Sequence, residues 1–138
     1  MKRHYELSDA QFENQLHDCS LAPTFFSHEA HIRIAWIHIS KYGVKKAAEN
    51  ITSDLKRYVN SLGAADKYNE TLTIVAVEIV NHFMQKAEAE SFEELIEEYP
   101  VLVSDFKGLI DSHYSFDIFN NSEAKSVYLK PDLLSFTS

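Results

Sequence analysis

The chain has 138 residues, 45% of them hydrophobic, a formal net charge of -8, and only three glycines and three prolines. That length suits one domain (1–138) with a core of its own, and the apolar share excludes a disordered chain. The negative charge repels a phosphate backbone, and Lys45, Lys46, Lys56 and Arg57 are interleaved with Glu49 and Asp54, so nucleic acid is excluded as a partner.

In chain order, Ser8 and Gln11 have the spacing of a capping box and open a first helix over 9–19, with Phe12, Leu16 and Cys19 on one face. Pro23 interrupts the loop "SLAPTFF". Ser27 or Thr24 caps a second helix over 27–42, which Gly43 stops. Val44, Ala47, Ala48, Ile51, Leu55, Tyr58, Val59 and Leu62 recur at i, i+3, i+4 spacing and mark a third helix over 44–62. A fourth covers 66–88. Ser91 and Glu94 offer a second capping box, and short helices follow between 91 and 130, where Pro131 ends regular structure. The run Glu88 to Glu98 reads as a solvated acidic face. Short loops between long helices imply an all-α fold, an antiparallel up-down four-helix bundle with short C-terminal capping helices.

One cysteine, Cys19, allows neither an internal disulfide nor a Cys-rich zinc site, and it has no cation near it in sequence to activate it. No stretch approaches about 18 uninterrupted apolar residues, and "MKRHYELSDAQF" has no apolar signal core. The expectation is a cytoplasmic protein with no membrane partner, in which the sequons at Asn50, Asn69 and Asn120 carry no meaning.

The stretch "FFSHEAHIRIAW" carries most of the functional signal. At about 100° per residue, Ile32, Ala35, Ile39 and Tyr42 fall within roughly 40° of His28 on the second helix, and His31 lies about 60° away. Both imidazoles border the apolar stripe, while Ile34 and Ile37 form a second apolar face. On the fourth helix Leu72, Ala76, Ile79, Phe83 and Ala87 form a stripe flanked by Asn69 and Thr73. Helices apolar on two faces are central or meet a partner chain, which raises a homodimer. In an up-down bundle the second and fourth helices run parallel, so "HEAH" and "YNET" meet at one end.

These motifs resemble a group of short, uncharacterised bacterial helical proteins. The pattern in that group is L-x-P-x-x-F-x-H-x-x-H, a hydrophobic residue and R-x-A-W, then Y-H-E-T-x-T, with a tail carrying P-D-L. This chain has "LAPTFFSHEAHIRIAW", "YNETLT" and "KPDLLSF". The resemblance implies that the polar motif residues form a site and attaches no activity to it. Asn69 stands where the group has histidine, and its neutral amide is a poor ligand for zinc or iron.

Two classes of function remain open. In the first, His28 and His31 hold one divalent metal, zinc or iron, and Glu70 completes the site as ligand or general base. Tyr68, Asn69 and Thr73 stand behind these ligands. In the second, a small-molecule-binding or protein-interaction module contains the same residues as a structural polar cluster, with His31 bonded to Glu70 or Thr73. Trp36 reads as core, Arg33 as one half of a salt bridge, and Glu78 with His82 as an i, i+4 pair and secondary candidate site. No phosphate loop, nucleophile elbow or His-Glu-x-x-His motif is present; "HEAH" is one residue short of the last.

Overall fold

The computed structural model describes residues 3–136. Met1 and Lys2, part of the amino-terminal stretch read above, lie outside them. The fold is all-α: α1 (Asp9–His17), α2 (His28–Tyr42), α3 (Val44–Ser61), α4 (Glu70–Lys86), α5 (Phe92–Glu98), α6 (Val101–Ser104), α7 (Phe106–Asp111) and α8 (Ser122–Ser126), with no strand among the described residues. No described helix is long and apolar enough to cross a membrane.

Local chemistry sets the boundaries. Ser8 Oγ accepts from Gln11 N–H while Gln11 Oε1 accepts from Ser8 N–H, so the first capping box is complete. The second is half made: Ser91 Oγ accepts from Glu94 N–H, but the Glu94 carboxylate accepts from Glu90 N–H instead. α1 ends two residues before the expected position, because Asp18 caps it and Cys19 turns to φ 67°. Gly43 at φ 84° is the only residue between α2 and α3, and that conformation without a Cβ penalty makes the single-residue joint feasible. α4 starts four residues later than the expected 66. Ala65–Lys67 form a separate 3-10 turn, Tyr68 is extended, and Asn69 Oδ1 caps the helix by accepting from Leu72 N–H.

The core runs from Phe12 and Leu16 of α1 through Ile32, Ile34, Ala35 and Ile37 of α2 to Ala47, Ile51, Leu55 and Tyr58 of α3 and Val75, Val77, Ile79 and Val80 of α4. α2 touches α1, α3, α4 and α6, so both of its apolar faces are covered within the chain.

Two polar devices fasten the periphery to these helices. Arg33, 5% exposed, donates to the carbonyls of His4 and Leu7 and to the Asp9 carboxylate at 2.9 Å. Its guanidinium lies over Phe12 and Tyr5 at 5.1 and 5.6 Å from the ring centroids, and His4 pairs with Glu29 beside it. At the other end Thr71, fully buried, donates to the Val127 carbonyl at 2.8 Å and accepts from Leu129 N–H at 3.0 Å. Tyr114 Oη donates to the Leu129 carbonyl at 2.6 Å. The carboxy-terminal segment is thereby laid along α4. Thr71→Val keeps the volume and orphans two backbone groups, so urea unfolding should show a loss of about 2 kcal/mol, with faster amide exchange at Leu129. Unchanged exchange there would mean that Thr71 does not hold the tail.

Candidate functional site

Five residues singled out in the sequence, His28, His31, Tyr68, Asn69 and Thr73, line one cavity of about 910 Å³. Its walls are the first turns of α2 and α4 and the last turns of α3, with Val103–Lys107 and Phe119 of the carboxy-terminal region closing it. Ile34, Ala35, Ile51, Leu55 and Val77 make the interior apolar.

Each polar group in this wall has a different degree of commitment. His28, exposed at the rim, donates its Nε2–H to the Leu102 carbonyl at 3.1 Å, which leaves Nδ1 as the acceptor nitrogen. Its ring rests against Phe106 at 5.1 Å. Asn69 is fully used: Oδ1 caps α4, and Nδ2 donates to the Ile118 carbonyl at 2.8 Å. Thr73 Oγ1 donates back to the Asn69 carbonyl at 2.7 Å. Tyr68 Oη donates to Glu70 Oε1 at 2.6 Å, and burial with this carboxylate pushes the phenol well above its usual pKa.

His31 is the exception. Phe26 stacks on its ring at 3.9 Å with 21° between the planes, and the half-buried residue lines the cavity. Neither ring nitrogen makes a hydrogen bond among the described residues. Burial, and secondarily the neighbouring His28, lower its pKa from 6.5 to about 4. At neutral pH the cavity therefore contains a neutral imidazole with one donor and one acceptor unoccupied.

The remaining candidates lie elsewhere. Glu70 does not line the cavity; its carboxylate accepts from Tyr68 and sits 3.4 Å from Lys56 Nζ. Hydrogen bonds from His31 to Glu70 or Thr73 are absent; Tyr68 and Lys56 hold Glu70, and Asn69 takes the Thr73 hydroxyl. Arg33 belongs to the amino-terminal clamp, as the salt-bridge reading expected. Trp36 is half-buried against the core, away from the cavity lining. Glu78 and His82 also lie outside it. Burial raises the Glu78 carboxyl, whose electrostatic neighbours are Tyr114 and Tyr128, while His82 sets its ring edge-on to Phe83 at 5.6 Å.

Sequence reasoning missed Phe26, Lys67, Asp105, Lys107 and Phe119, all in the wall. Phe26 is the aromatic residue of the F-x-H-x-x-H pattern itself and Lys67 directly precedes "YNET", and those positions were the available signal. Asp105 caps α7, its carboxylate accepting from Gly108 N–H.

Among the described residues no group of three or more His, Cys, Asp or Glu side chains is placed to hold a metal ion. No protein-family profile matches the chain, and no curated protein or solved structure matches it either.

Proposed function

We propose that the protein binds a small, largely apolar molecule in the cavity between α2, α3 and α4, with His31 as the polar group that orients it. The observation that carries this reading is the neutral His31 ring, walled in beside Phe26 with both nitrogens unbonded. The His31 nitrogens face the cavity without a protein partner, and a ligand hydroxyl, carbonyl or carboxylate can bond them there. The volume falls in the range of small-molecule sites, which combine apolar walls with few polar groups. The scaffold reading that goes with it is an up-down arrangement of α1 to α4, supported by first turns of α2 and α4 and last turns of α3 meeting at one cavity.

The test is a thermal-shift and NMR screen with small aliphatic and aromatic alcohols, ketones and acids. Binders should move the His31 ring resonances, and Ala76→Phe, which fills the lined space, should abolish the response in a folded protein. Compounds that bind native protein and Ala76→Phe equally would place binding outside the cavity and overturn the reading. The metal alternative rests on His28 and His31 sharing one cavity. Elemental analysis of protein prepared without chelator decides it: about one zinc or iron per chain, lost in His31→Ala, would replace the small-molecule reading with a metal site.

A further inference from the structure

The charge at the mouth of the cavity points to a class of ligand, and this step rests on the cavity being a ligand site. The charged exposed residues of the lining are Lys67, Lys107 and Asp105. Two are engaged. Lys107 Nζ lies 2.9 Å from Asp111 Oδ2 and over the Phe119 ring, and the Asp105 carboxylate turns back to accept from Gly108 N–H. The Lys67 side chain makes no ion pair or hydrogen bond among the described residues. An uncompensated cation thus stands at the mouth of an apolar cavity in a chain of net charge -8.

Three features of the interior agree with that sign. His31 is neutral and has an N–H to give. The first turns of α2 and α4 border the same space, and helix amino-terminal ends carry partial positive charge. The one carboxylate in the lining, Asp105, is turned onto Gly108 N–H, and Glu70 is held by Tyr68 and Lys56 outside the lining. A cation entering would meet Lys67 with Asp105 as its only charged partner in the wall, and a neutral polar head would forgo the field. An anion would gain from both Lys67 and the His31 N–H.

We propose that the ligand is an anionic amphiphile: one carboxylate held between Lys67 and the His31 N–H, with an aliphatic or aromatic body against Ile34, Leu55 and Val77.

Three probes of one chain length test it by calorimetry at pH 7: octanoate, 1-octanol and octylammonium. Octanoate should bind about tenfold more tightly than 1-octanol, and octylammonium most weakly. Lys67→Ala, at an exposed position, should bring octanoate to within about threefold of 1-octanol while leaving 1-octanol unchanged. Asp105→Asn retains the cap and should strengthen octanoate binding. Equal binding of octanoate and 1-octanol would overturn the charge assignment and leave the cavity reading standing. So would failure of all three probes alongside a neutral binder from the broader screen. Failure of every compound would overturn both.

Discussion

Arg33→Met lowers the unfolding free energy by about 3 kcal/mol, measured by urea denaturation at neutral pH. The guanidinium is 5% exposed and donates to the His4 and Leu7 carbonyls, which methionine leaves without their donor. The ion pair to Asp9 contributes little to this figure, since the Asp9 side chain is 63% exposed and water screens it. The loss therefore comes mainly from orphaned backbone acceptors and from the stack on Phe12 and Tyr5. Arg33→Lys should recover less than half of it, because an ammonium cannot reach the carbonyls and Asp9 from one planar fork. A lysine variant as stable as the native protein would show that charge alone matters. The amino-terminal turn Arg3–Glu6 should loosen first, with faster amide exchange there than in α3.

The second large effect is acid destabilisation. The His31 pKa is about 4 in the folded chain against 6.5 for a free imidazole. The unfolded state therefore takes up a proton first as pH falls. Stability contributed by the neutral ring is complete above 6.5, declines from 6.5 towards 4, and changes no further below that. Between pH 7 and pH 5 the loss from this residue is about 2 kcal/mol. His38, 3% exposed with both ring nitrogens unpartnered and its pKa lowered by burial, acts in the same direction. His31→Phe should flatten the pH 5–7 dependence of urea unfolding by about 2 kcal/mol and leave the carboxylate-driven decline below it intact. An undiminished slope in that variant would mean that the ring is solvated in the cavity and not held neutral.

The main helices were legible because their signals are local. Apolar spacing at 3.6 residues marks α3 without help from the rest of the chain, and Ser8, Ser27 and Gly43 act on amides within four residues. His28 and His31 line one cavity with Tyr68 and Asn69, the part of the two motifs that meets. The direction of individual side chains was not legible. Asn69 reads as a substituted ligand position until its amide is seen capping α4 and bonding Ile118. Glu70 reads as a third ligand until Tyr68 and Lys56 claim it. Thr71 was read only as the last letter of "YNET", yet it anchors residues 56 and 58 positions away in the chain. Such partners depend on where a non-periodic segment comes to lie, and no spacing rule encodes that.

That dependence fixes an order of events during synthesis. The first turn of α4 leaves the ribosome with the Asn69 amide and the Thr71 hydroxyl aimed at carbonyls of Ile118 and Val127 that do not yet exist. The wall made by Val103–Lys107 and Phe119 is also still to come. Until then the apolar lining of α2, α3 and α4 stands open to water and to other chains. A nascent chain stalled near Lys86 should bind chaperones and hydrophobic dyes, and release from both should coincide with emergence of the last 20 or so residues.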